Sequence, residues 1–151
     1  MPRSAIALLL SAPLLLAAPV PKEIRAKAAP LDGTWEIVEL RSGLADVTNL
    51  NPWVWVIDGE KLTIFNREKD GTLQLNDPRM TTTLVRPTGG GPEDVDYVRD
   101  DGKNPLLFKG LVAVDGNELV ICFSDPNNPR PAERKSGQTV SYYRFKRIKD
   151  K

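Results

Sequence analysis

Trp53-Val54-Trp55-Val56-Ile57-Asp58-Gly59-Glu60-Lys61-Leu62-Thr63-Ile64-Phe65 consists of two runs rich in β-branched and aromatic residues that meet at Asp-Gly. Asp-Gly in that position signals a hairpin, because the central residues of a type I′ turn need positive φ. The arrangement recurs downstream, where Leu106 to Val114 and Glu118 to Phe123 are separated by Asp115-Gly116-Asn117. Further runs of the same character lie on either side: Thr34 to Arg41, Thr72 to Leu75 after Lys69-Asp70-Gly71, Met80 to Arg86 stopped by Pro87, Val95 to Val98 before Asp100-Asp101-Gly102, and Thr139 to Ile148. No window sustains the i, i+3, i+4, i+7 spacing of an amphipathic helix. The pattern predicts eight or nine short strands about ten residues apart, a spacing typical of all-β sandwiches and barrels. Short links make successive strands neighbours, so an antiparallel meander is expected. A meander hides its edges most simply by closing into a barrel, and an open β-sandwich is the other architecture the pattern allows.

The chain has 151 residues, no His, one Cys and two Met. Those counts exclude a Ser/His/Asp or Cys/His catalytic set, a His-ligated metal, an intrachain disulfide and a zinc ribbon. Behind the basic start at Arg3, Ala5 to Ala18 is an uncharged apolar run of the length of a signal-peptide core. It is shorter than the roughly 20 residues of a membrane span and is interrupted by Pro13. Residues 1–28 are therefore read as a secretory leader, cut after Ala26-Lys27-Ala28 or earlier, and residues 31–148 as a single domain. The expected location is periplasmic or extracellular, with no membrane span in the mature chain. Arg3, Lys22, Arg25 and Lys27 against Glu23 belong to that leader, so its removal turns a formal charge of +1 into −2. A mildly acidic domain offers no electrostatic footprint for nucleic acid. Cys122, flanked by Val120, Ile121 and Phe123, reads as a buried unpaired thiol.

Gly33-Thr34-Trp35 resembles the G-x-W opening of lipocalin-type barrels. The resemblance implies that Trp35 plugs one end of the barrel beneath a basic side chain from the last strand, for which Arg147 is the first candidate and Arg144 the second. Leu31 to Val38, Gly59 to Ile64, and Gly110 to Phe123 with the downstream Arg130-Pro131 together resemble a family of small exported lipocalin-like domains of planctomycete bacteria. The most specific part is Gly110, Asp115-Gly116, Leu119 and Cys122 with Arg130-Pro131. The resemblance covers about Leu31 to Arg147 and implies fold and export, with no activity attached. After Glu133 the family pattern expects an aromatic residue, and this chain has Arg134.

Little catalytic chemistry is suggested. Asp58, Asp70, Asp94, Asp96, Asp100, Asp101 and Asp115 sit in or beside turns, where Asp bonds its own backbone. Asp125, Asn127 and Asn128 lack the ligand order of a calcium loop, and Gly89-Gly90-Gly91 lacks the Lys-Ser/Thr of a phosphate loop. Trp53 and Trp55 share one strand face, whereas Tyr142 and Tyr143 lie on opposite faces. Trp53, Trp55, Tyr142 and Tyr143 are the candidate ligand-binding residues, with Arg130 and Glu133 as loop contacts at a barrel mouth. If the two tryptophans face inward they line or plug a cavity; if they face outward they form a patch for a partner or a sugar. The expected function is non-catalytic, without metal or cofactor. The chain is read as a binding module for a small apolar or amphipathic ligand or a protein partner, or alternatively as a cell-envelope domain with a filled barrel.

Overall fold

The structure, a computed structural model, describes residues 30–148. The proposed leader, residues 1–28, lies outside the described residues.

Ten strands form one antiparallel sheet: β1 (Gly33–Ser42), β2 (Ala45–Asp46), β3 (Trp53–Asp58), β4 (Lys61–Arg67), β5 (Leu73–Leu75), β6 (Thr81–Val85), β7 (Asp94–Asp100), β8 (Leu106–Asp115), β9 (Glu118–Ser124) and β10 (Val140–Arg147). Eight of them run in the order β10-β9-β8-β7-β6-β4-β3-β1, and β10 pairs back onto β1. The result is a closed up-and-down barrel of lipocalin-like type, with β2 and β5 as short side strands on β1 and β4. Among the described residues no helix is long and apolar enough to cross a membrane.

The hairpins fall where Asp-Gly predicts them, but the turns differ from expectation. Asp58 pairs with Lys61, and Asp115 with Glu118, so the central residues are Gly59-Glu60 and Gly116-Asn117. Only the glycines have positive φ, +59° and +56°. That is the type II′ pattern, in which the first central residue alone needs it.

Strand alternation sends one face of each strand inward. Along β9, Leu119, Ile121 and Phe123 enter the core. In β1 the alternation is reset: Ile37 pairs with Phe145 and Glu39 with Arg144, leaving Val38 as the extra residue of a bulge. Trp35 and Ile37 point inward before it and Leu40 after it, and all three are buried. Without the bulge Leu40 would face solvent.

The end of the barrel where β1 starts and β10 finishes is sealed around Trp35, which is fully buried. Its indole N–H donates to the Leu31 carbonyl at 2.8 Å, and the Arg147 guanidinium lies 4.2 Å from the ring centroid. Arg147 Nη1 also donates to the Asp32 carbonyl at 2.8 Å. Gly33 makes this approach possible: its φ is +137°, and a Cβ there would strike the Arg147 guanidinium. The first element of Gly-x-Trp thus leaves room for the cation over the third. Arg144 sits on the outer wall instead, its Nε donating to Glu39 at 3.0 Å.

Arg147→Gln is predicted to lower the unfolding free energy by about 1–2 kcal/mol in urea, since it removes the cation–π contact and the charged hydrogen bond. Gly33→Ala should cost about 2–3 kcal/mol, because it adds backbone strain to the clash. Losses under about 0.3 kcal/mol for both would show that this contact does not hold the closed end.

Candidate functional site

Side chains pack the lower half of the barrel, around Trp35, Ile57, Leu84 and Leu119. Above them remains a cavity of about 410 Å³. Its wall residues include Trp53 at the start of β3, Arg99 near the end of β7, Asp125 just past β9 and Ser141 near the start of β10. All four mark strand ends remote from Trp35, so the cavity opens at the end opposite the plug. One flank of the mouth is loosely built. β4 pairs with β6 only through Lys61 and Leu62 and then pairs with β5 from Phe65 to Arg67. The segment from Leu75 through Met80 borders the resulting gap, and Leu75, Asn76, Asp77 and Met80 line the cavity.

Six aromatic residues surround the cavity: Trp53, Trp55, Tyr97, Phe108, Phe123 and Tyr143. Trp55 is in the middle of the group, its ring 5.4 Å from Tyr143, 6.4 Å from Tyr97 and 4.7 Å from Phe145 below. Tyr97 in turn stands 5.3 Å from Phe108 and 5.4 Å from Phe123. Such ring pairs add about 0.5–1.5 kcal/mol each beyond area burial and hold the wall in place. Phe123 reaches its position because Gly110, its partner on β8, has no side chain: a Cβ there would meet the Phe123 ring 2.8 Å away at Cε1.

Polar groups are interspersed with the rings: Thr63, Asn76, Thr81, Thr82 and Ser141 also line the cavity. Thr82 donates its hydroxyl to the Leu62 carbonyl. The Trp55 indole N–H is buried and meets no acceptor among the described residues, which costs roughly 1–3 kcal/mol of unrecovered desolvation. Burial pushes the Tyr143 phenol up to about 12, with neighbouring Tyr97 adding to the effect and a hydrogen bond from Ser141 opposing it. Tyr97 is also shifted up by burial. Both phenols are therefore neutral across the ordinary pH range.

The candidate residues separate into two sets. Trp53, Trp55 and Tyr143 line the cavity. Tyr142 does not: it pairs with Cys122 on β9 and shares that residue's outward direction, so strand alternation removes it from the site. Nor do Arg130 and Glu133 stand at the mouth. Loop 125–139 instead folds back over the outer wall, where Arg130 donates to the paired residues Val95 (carbonyl, 2.8 Å) and Gly110 (carbonyl) and to Asp96 at 2.7 Å. Its Nε lies 3.7 Å from Asp94. Glu133 is exposed and pairs with Lys135, and Arg134 pairs with Glu93. Beneath this wall Cys122 is fully buried, with burial pushing its thiol up to about 12. Tyr97, Phe108 and Phe123 were absent from the sequence-derived set. Each occupies an inward position of a strand recognised in the sequence, but only closure of the barrel brings β7, β8 and β9 opposite β3. Among the described residues no three carboxylate or thiol side chains group as a metal site.

Compared with known proteins, the chain matches no family profile, no curated sequence and no solved structure.

Two predictions follow from the buried groups. The fold favours neutral Tyr143 and Cys122, so their contribution to stability is complete below their unfolded-state values, near 10 and 9, and is lost as pH climbs toward 12. The melting temperature should begin to fall above about pH 9, less steeply in a Cys122→Ala/Tyr143→Phe double variant; parallel wild-type and variant curves would contradict this. Arg130→Met leaves two backbone carbonyls and the Asp96 carboxylate without the Arg130 donor and removes the ion pair with Asp94. It should cost about 2–4 kcal/mol in urea and expose loop 125–139 to limited proteolysis.

Proposed function

We propose that this barrel is a non-catalytic binding module that holds a small apolar or amphipathic ligand through its open end. The observation carrying the reading is the cavity itself, about 410 Å³ at the end opposite Trp35 with six aromatic residues in its wall. That volume lies in the range of small-molecule sites, which are mostly apolar with a few polar groups setting orientation. A filled barrel, the structural-domain alternative, would have side chains across that space. The ligand's apolar body would pack against the half-buried rings of Trp53, Tyr97 and Phe108, and its polar end would remain near Arg99 and Asp125 at the mouth.

The absence of catalysis belongs to the same reading. A glycosidase-type pair requires one carboxyl held protonated. At this mouth Asp77 is shifted the other way, its carboxyl held below the usual range chiefly by the Arg79 backbone N–H. Export of the domain and its kinship to the small lipocalin-like planctomycete family are part of the proposal, supported by the apolar segment Ala5 to Ala18 and by the Gly110, Cys122 and Arg130-Pro131 pattern.

Native mass spectrometry of the protein purified from its own envelope fraction should reveal a co-purifying small molecule. Ser141→Trp, which fills the mouth with an indole, should reduce its occupancy at least about tenfold with little change in melting temperature. Wild-type protein that is consistently bare and binds no apolar fluorophore would overturn the reading.

A further inference from the structure

The exposed apolar side chains of the barrel are gathered toward its open end. Among the described residues the large hydrophobic side chains left open to solvent are Leu44, Leu50, Leu73, Leu75 and Leu107, the first two 78% and 77% exposed. Leu44 is in the turn between β1 and β2, where Ser42 pairs with Ala45, and Leu50 closes the short 3₁₀ turn Thr48–Leu50 just ahead of Trp53. Leu73 and Leu75 belong to β5, which pairs with Phe65 to Arg67 of β4. Since β1, β3 and β4 are consecutive in the sheet, these four leucines form an arc over one side of the open end. Leu107 stands apart on β8, four strands round the barrel from β3. Single exposed leucines are ordinary, but among the described residues none lies at the closed end around Trp35.

Charge along the arc is balanced. Arg41, Arg67 and Lys69 are interleaved with Asp46, Glu68 and Asp70, so the arc carries both signs and no excess of cations. That suits a zwitterionic headgroup layer, which carries both signs itself, rather than an anionic one. A second copy of the chain fits less well. Stable association buries about 800 Å² of continuous, complementary surface on each partner, whereas these leucines stand on three separate segments with charged residues between them. A fluid bilayer admits separate apolar tips one by one. The arc is also continuous with the cavity, because Leu75 is both exposed and part of its wall, on the flank where β4 parts from β6. Trp53, half-buried at the same end, is of a residue type that settles at headgroup level.

We propose that the leucine arc docks the open end of the barrel on a zwitterionic phospholipid surface, with Leu44 and Leu50 entering the boundary between headgroups and acyl chains. Docked this way, the loosely built flank between β4 and β6 faces the lipid, and an apolar molecule passes between bilayer and cavity without crossing water. The docking rests on the arc alone; only the passage of a ligand rests on the binding reading above.

The test is co-sedimentation of protein purified from its own envelope fraction with phosphatidylcholine vesicles. The wild type should partition onto them. Leu44→Asn/Leu50→Asn should partition at least about tenfold less, with its melting temperature unchanged because both side chains are mostly exposed. Leu107→Thr, which removes an exposed leucine outside the arc, should stay within about twofold of the wild type. All three proteins share the same N-terminus, so differences between them belong to the barrel. Because the arc is charge-balanced, neither phosphatidylglycerol in the vesicles nor about 0.5 M NaCl should alter wild-type binding by more than about threefold. Wild type that stays free of phosphatidylcholine vesicles at about 1 mM lipid, a double variant that binds like wild type, or binding that needs phosphatidylglycerol and is lost in salt each overturns the proposal. So does a wild-type dimer, seen by sedimentation velocity, that the double variant breaks. Docking by protein that carries no small molecule supports the arc and counts only against the ligand reading.

Discussion

The antiparallel pairing of β1 with β10 is the constraint on which the rest of the molecule depends. An eight-strand meander left open has two edges whose unpaired N–H and C=O groups invite association with other chains, and closure removes both. Here the join runs from Trp35 opposite Arg147 to Arg41 opposite Tyr142, across the bulge at Val38. At its lower end the same two strands supply the plug, its cation, and the glycine that lets them meet. One end of the barrel is thereby committed to packing, and space remains only at the other.

Beyond that join the barrel wall divides its tasks between its two faces. Inward, aliphatic residues and Trp35 fill the lower half, and a group of aromatic rings frames the upper half without filling it. Outward, loop 125–139 lies against β7 and β8 through Arg130. Gly110, Cys122 and Arg130, which are scattered along the chain, belong to one small assembly. The Gly110 carbonyl accepts from Arg130, the missing Gly110 side chain admits Phe123, and Cys122 is the neighbour of Phe123 on β9, opposite Leu111 on β8. The spacing of these residues therefore has a mechanical meaning: it braces the wall against which the aromatic cup is built. Cys122 contributes bulk, and its raised thiol makes it a poor nucleophile.

The site was only partly legible in the sequence. Trp53 and Trp55 could be assigned to one face by alternation, but which face was inward depended on the partner strands. Tyr142 and Tyr143 were separable in the same way, and closure sent the first of them out. Tyr97, Phe108 and Phe123 carried no local signal, because an inward aromatic residue in a strand looks the same whether it fills a core or frames a cavity. Arg130 and Glu133 suggested a mouth through their place in a long loop, and the loop instead turned down the outer wall, where Arg130 met carbonyls and carboxylates of β7 and β8.

By itself the sequence determined what depends on neighbours along the chain: the strand runs, the turns at Asp58-Gly59 and Asp115-Gly116, and the meander order that short links impose. The resemblance of Gly33-Thr34-Trp35 to a barrel opening implied a plugged end, but what requires glycine there is Arg147, brought over it from the last strand by folding. Only the tertiary structure decided how far side chains fill the barrel, because cavity volume depends on residues from β3, β4, β7, β8, β9 and β10 meeting across a closed sheet. It alone left the Trp55 N–H without an acceptor among the described residues, for a donor's satisfaction depends on every group that folding brings within reach of it.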